Sequence, residues 1–182
     1  SGVQAFVQAA QMIQRDEADI IIAGGAESGL RRTSITAMAN MGALSKRNDD
    51  PERASRPFDL GRDGFVFSEG CGLLIVESEE HALNRGATIL AELTGGAFTS
   101  DAFHITAPDP NGKHAAKAMT LAVQRSGLQM QDVDYIAAHA TSTSVGDIAE
   151  TDAIKTAFGD HAYKLVASAN KSMLGHLLGA AG

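Results

Sequence analysis

The chain has 182 residues, 44% hydrophobic and 20% charged, with 19 glycines, one cysteine and a net charge of −7. That length suffices for one domain with a sizeable core. The acidic balance argues against indiscriminate nucleic-acid binding, no apolar run approaches the ~18 residues of a membrane span, and the lone Cys71 excludes an internal disulfide framework and fits a reducing, cytoplasmic compartment.

In chain order, Val3, Phe6, Val7, Ala10 and Ile13 predict a helix over 3–14. The run Ile20–Ala23 reads as a buried strand. The glycine-rich tract 24–29 that follows lacks G-x-G-x-x-G spacing and is not a dinucleotide loop. Residues 30–62 form a long excursion, helical over Thr33–Met41, of the kind that covers a site. Gly64–Glu77 suggests two strands or one bent strand, with Cys71 as a small buried packing residue. A helix over Glu79–Arg85, a strand over Ile89–Leu93 and an irregular stretch to Gly112 come next. Helix Lys113–Ser126, strand Asp134–Ala138, helix Val145–Phe158 and strand Leu165–Ala169 alternate thereafter, which implies a layered α/β sheet. The closing stretch NKSMLGHLLGAAG reads as a helix opened by Asn170 or Ser172, with Gly175 and Gly179 on one face. Each glycine there forgoes roughly 1 kcal/mol relative to Ala, so a substrate tunnel or tight packing must use the thinness.

The segment from Arg31 to Arg62 holds seven basic residues against four acids, a local +3 that leaves −10 for the remainder. It is either a solvated loop with locally paired charges or a surface for an acidic partner. His139 directly follows strand 134–138, and sites in α/β sheets form at the carboxyl ends of strands. Thr141, Ser142 and Thr143 stand before a helix whose first turn holds Asp147 and Glu150, an acidic pair favoured by the helix dipole. His176 alone reads as a satisfied core histidine. A zinc site of His139, Asp147, Glu150 and His176 lacks any H-x-x-x-H or C-x-x-C support, so no metal is expected.

Taken together, His139–Thr143 with Gly146–Asp147, Asn170–Met173, Gly175–Gly182, Ala23–Glu27, Ser55–Asp59, Arg62–Val66, Glu69–Gly70 and Ser100–His104 resemble one family, the β-ketoacyl-[acyl-carrier-protein] synthases, most closely the type II condensing enzymes of fatty-acid synthesis. The resemblance implies a thiolase-like layered α-β-α-β-α fold of two related halves, ending and starting here near 1–85 and 86–182. It implies a decarboxylative Claisen condensation in which His139 and His176 polarise the malonyl thioester carbonyl and Lys171 holds the histidines electrostatically. Thr141 and Thr143 would hydrogen-bond the phosphopantetheine arm, and Asp101, His104 and Thr106 would line its entrance. No resident cofactor is implied, because substrate travels on an acyl carrier protein; Arg31, Arg32, Lys46 and Arg47 would face that acidic partner. A homodimer is implied as well.

Two departures are local. Ala140 and Ser144 stand where the family motif often has Gly and Pro, and Ser144 is positioned to cap the next helix. The family's nucleophilic cysteine matches a position two residues before Ser1. The chain is therefore expected to be the central-to-C-terminal part of a longer protein, cut within the His176 helix and inactive alone. The alternatives are a non-catalytic ketosynthase-like partner subunit and a carrier-protein-binding module.

Overall fold

The computed structural model describes residues 2–182. Helix α1, Gly2–Gln14, buries Val7 and Ala9 against strand β1, Ile20–Glu27. β1 pairs antiparallel with β2, Gly70–Glu77, in an unbroken register from Ile20↔Glu77 to Glu27↔Gly70. The glycine-rich tract after Ala23 therefore extends the strand instead of turning, since glycine takes extended backbone as readily as it turns.

Helix α2, Arg32–Asn40, leads into an irregular stretch broken by a 3₁₀ turn at Pro51–Arg53. The expected strand before Gly70 is reduced to single bridges, Leu44↔Phe65 and Phe67↔His176. A short helix α3, Glu79–Asn84, is capped by Ser78, whose hydroxyl accepts the His81 N–H at 3.2 Å. Ile89–Leu93 is not a strand. Its apolar, β-prone composition finds no ladder among the described residues, and Leu90 is 84% exposed; propensity without a pairing partner does not make a strand.

The second half keeps its alternation. Helix α4, Lys113–Ser126, ends at Gly127 (φ +76°) and packs against helix α5, Gly146–Phe158. α5 is the crossover between two parallel strands, β3 (Tyr135–Ala137) and β4 (Val166–Ser168). Alanines at 116, 149 and 153 are buried and keep the helices close.

The closing stretch departs from the expected continuous helix. Helix α6 spans only Lys171–Leu174, and Gly175 ends it with φ +74° and ψ −177°. A Cβ at Gly175 would lie 2.8 Å from Ser68 Cβ and 3.0 Å from the Val66 oxygen. The glycine admits the 66–68 backbone, which then pairs with His176: the His176 N–H donates to Val66 O at 2.7 Å and the Ser68 N–H to His176 O at 3.1 Å. A 3₁₀ turn, Leu178–Ala180, follows. His176 thus sits on an extended residue between two turns, and Gly175 and Gly179 share no helical face.

Cys71 is exposed, contrary to the expected packing role. It lies opposite Ala26 on the uncovered face of a two-stranded sheet, where Ile22, Leu73 and Ile75 are also more than half exposed.

Candidate active site

β3 delivers its chain into a turn, His139–Thr143, whose shape is fixed from three sides. Glu150, one turn into α5, accepts the N–H groups of His139 and Ala140 at 2.6 and 2.8 Å. Asp147, 1% exposed, accepts the Ser142 N–H at 3.1 Å and the Phe58 N–H at 2.7 Å. Asp147 lies in the first turn of α5, and both acids do more than complement the helix dipole: they hold backbone donors that the tight turn leaves without partners. Their oxygens are committed to amides, and among the described residues no cluster of three His, Cys, Asp or Glu could hold a metal.

The third support is the 55–64 excursion. Arg62, with 11% of its side chain exposed, donates to the carbonyls of Thr143 and Ser144 at 2.9 and 2.8 Å and lies 3.4 Å from Asp147. Ser142 accepts the Arg56 N–H on its hydroxyl and the Gly64 N–H on its carbonyl, while the Ser55 hydroxyl donates to Lys171 O. Ala140 and Ser142 both carry left-handed backbone, φ +41° and +68°. Such strain persists only where surroundings over-determine the conformation. Thr143 Oγ1 accepts the Gly146 N–H at 3.2 Å, so Thr143 and not Ser144 closes the start of α5. Thr141, buried, has its hydroxyl 3.1 Å from that of Thr143.

Against this turn lies His176. The two imidazoles meet edge to face with centroids 5.2 Å apart, and Phe65 packs edge-on to the other side of His176 at 5.1 Å. The Leu178 N–H donates to His176 Nδ1 at 3.2 Å. That bond requires an unprotonated Nδ1, so the neutral ring carries its proton on Nε2, available to donate. Burial pushes His176 down to about 4, with His139 and Lys171 adding to the effect. His139 keeps contact with solvent, yet the protein crowding it lowers its imidazole; Lys171 adds to the lowering, and Glu150 and Asp147 oppose it. Lys171 is 8% exposed and lowered by burial, against a raising influence from Glu150. No ion pair to Lys171 forms among the described residues. The result is two imidazoles biased toward the neutral form, that of His176 with its donor nitrogen fixed, beside a sheltered cation.

Glu27 was assigned no role by the sequence, yet its carboxylate on β1 accepts the Gly179 N–H at 3.2 Å, just beyond His176. Asp101, His104 and Thr106 are not tied to the histidines. Asp101 accepts the Asp109 N–H, and His104 Nδ1 accepts from the amides of Thr106 and Ala107, so the loop is organised within itself. The basic segment divides. Arg62 faces inward as a scaffold; Arg47 reaches the Gly61 carbonyl at 3.2 Å. Arg31, Arg32 and Lys46 are exposed.

Residues 90–182 match the β-ketoacyl synthase C-terminal domain and residues 1–82 the N-terminal domain. The chain is 50% identical, over all 182 residues, to the 3-oxoacyl-[acyl-carrier-protein] synthase 2 of Synechocystis sp., and 48% identical to that of Staphylococcus aureus. It spans 44% and 45% of the lengths of these relatives. A β-ketoacyl synthase from Burkholderia phymatum superposes with a TM-score of 0.94 at 41% identity, covering 100% of this chain and 43% of that one. A type II polyketide ketosynthase, solved with its acyl-carrier protein and bound to the hexaketide, gives 0.96 at 42%, covering 99% and 44%. With that likeness the α/β architecture is the thiolase-like layered one. The chain belongs to the β-ketoacyl synthase family.

Proposed function

We propose that the protein containing this chain elongates fatty-acyl chains by decarboxylative Claisen condensation, joining an acyl thioester to malonyl-acyl carrier protein and releasing CO2. The observation that carries this reading is the pairing of His139 and His176, two imidazoles meeting edge to face with centroids 5.2 Å apart, one with its tautomer set by the Leu178 amide. As the bond from the malonyl α-carbon to its carboxylate breaks, CO2 departs and its electron pair passes into the thioester, placing negative charge on the carbonyl oxygen. His139 and His176 donate to that oxygen as preorganised donors, which need no reorganisation as the charge develops. Neutral donors avoid pairing with the ground-state carboxylate, so the stabilisation is directed at the transition state. Lys171 favours the neutral imidazoles by its charge. The enolate carbon then attacks the acyl thioester held on a cysteine of the complete protein, and the cysteine sulfur leaves.

In this reading Thr141 and Thr143 hold the phosphopantetheine arm, and Asp101, His104 and Thr106 line its entrance. The exposed Arg31, Arg32 and Lys46, with Arg47, meet the acidic carrier protein, a partner type that the superposing type II ketosynthase was solved with. No resident cofactor takes part. The protein is a cytoplasmic homodimer, and the two related halves of the fold meet near residues 85–86.

His176→Ala in the full-length protein is expected to lower malonyl decarboxylation by roughly 10²–10³ while leaving acyl transfer to the cysteine largely intact. Undiminished decarboxylation in that variant sinks the proposal. The presence of both histidines and Lys171 favours a condensing enzyme over a non-catalytic partner subunit, which has no use for the three together.

A further inference from the structure

Glu27 ends β1, and the sequence assigns it no role beyond its place in the Ala23–Glu27 motif. In the fold it touches the turn that controls His176. Residues 25 and 27 share one face of β1. At Gly25 a Cβ would lie 2.1 Å from the Gly179 oxygen and 3.0 Å from Ala180 Cα, so the bare glycine lets the 178–180 turn settle onto the strand. One step along the same face, the Glu27 carboxylate accepts the Gly179 N–H at 3.2 Å. The preceding amide, that of Leu178, donates to His176 Nδ1 at 3.2 Å. Leu178 itself is held at φ +43°, a conformation that a leucine does not adopt without external restraint.

We infer that Glu27 is a positioning residue for His176: by anchoring the Gly179 amide it keeps Leu178 in its left-handed conformation, which aims the Leu178 N–H at Nδ1 and leaves the His176 proton on Nε2. The inference rests on the condensation reading, since it gives Glu27 a role in the same decarboxylation. The carboxylate acts through two successive backbone amides and contacts no substrate. Besides Leu178, the groups facing His176 are the Phe65 ring, the His139 imidazole and the Lys171 ammonium, the last influenced by Glu150.

The test uses the full-length protein, with malonyl thioester decarboxylation as the rate and nitrogen-15 NMR of labelled histidine as the tautomer readout. Glu27→Ala is expected to lower kcat about ten-fold with KM changed by less than about two-fold, the split for an interaction used in the transition state. The acid limb of the pH profile should move up by about 0.7 pH unit, the equivalent of one ordinary hydrogen bond to the neutral ring. His176 Nδ1 should lose its hydrogen-bonded signature. Glu27→Gln keeps an amide oxygen as acceptor and should restore the rate, the limb and the spectrum. Should Glu27→Ala not fold, Glu27→Asp withdraws the acceptor by one methylene and is expected to move the same three readouts in the same direction. An unmoved limb and an unchanged His176 spectrum in whichever of these two folds overturn the inference. His176→Ala, run alongside, separates the two claims: retained decarboxylation there defeats the condensation reading, whereas loss there with an unaltered Glu27 variant defeats only the positioning role.

Discussion

Replacing Asp147 by Ala tests the scaffold beneath the His139 turn. In the native chain its carboxylate, 1% exposed, accepts two backbone amides, Phe58 at 2.7 Å and Ser142 at 3.1 Å, and faces the Arg62 guanidinium at 3.4 Å. Removing one partner of a buried ion pair costs about 3–5 kcal/mol, because the other charge is left uncompensated. Arg62 keeps its bonds to the Thr143, Ser144 and Asp59 carbonyls, which moderates that penalty. The two orphaned amides add about 1–3 kcal/mol each where water cannot reach them. Since these effects overlap and the site can relax, the expected loss is about 4 kcal/mol, a large share of the stability of an ordinary domain. Equilibrium denaturation of Asp147→Ala, Arg62→Met and the double variant measures it. The double variant should lose less than the sum of the singles by at least about 1 kcal/mol, since each single strands the other's partner. Additive losses, or an Asp147→Ala effect below about 1 kcal/mol, would refute the claim that this pair holds the turn.

Two further outcomes follow from the site. Ala140, at φ +41°, should be relieved by glycine: Ala140→Gly is expected to raise stability by about 0.5–1 kcal/mol in the same denaturation assay, and a loss of more than about 1 kcal/mol would mean that its buried methyl matters more than its backbone strain. For His176, the folded value of about 4 lies below the ordinary 6.5, so below pH 6.5 the unfolded chain takes up a proton that the native state refuses. Stability is full above pH 6.5 and falls as the pH drops toward 4, by about 2 kcal/mol between pH 7 and pH 5 from this residue, with His139 acting in the same direction. His176→Gln should flatten that slope by the His176 share, and an unchanged slope would show that burial does not hold this imidazole neutral.

Local pattern carried much of this protein. The apolar stripe of 3–14 became α1, the run Lys113–Ser126 with Gly127 became α4 residue for residue, and the alternation around Ile136, Ala149 and Ala167 gave the parallel crossover unit. These elements are specified by side chains within a few residues of each other, so periodicity and turn chemistry suffice. The two histidines were also legible, because His139 follows a strand end directly and both sit in motifs that resemble one family.

What the sequence left open depended on contacts between distant segments. Gly175 looks like a weak point in a helix until Val66 and Ser68, more than a hundred residues earlier, come to lie where its side chain would be. Asp147 and Glu150 look like a helix dipole pair until the strained His139–Thr143 turn presents unpaired amides to them. Ile89–Leu93 has strand composition and no partner among the described residues, and Cys71 has a packing residue's neighbours yet is exposed. Glu27 belongs to a matching motif but has no role until the Leu178–Ala180 turn folds onto β1 beside Gly25. The sequence by itself determined the helices and strands with a strong local pattern and singled out the two histidine motifs. Only the tertiary structure decided the protonated nitrogen of His176, the backbone that each acid restrains and the place where a helix must stop, because each depends on hydrogen bonds and close approaches between segments that no local pattern encodes.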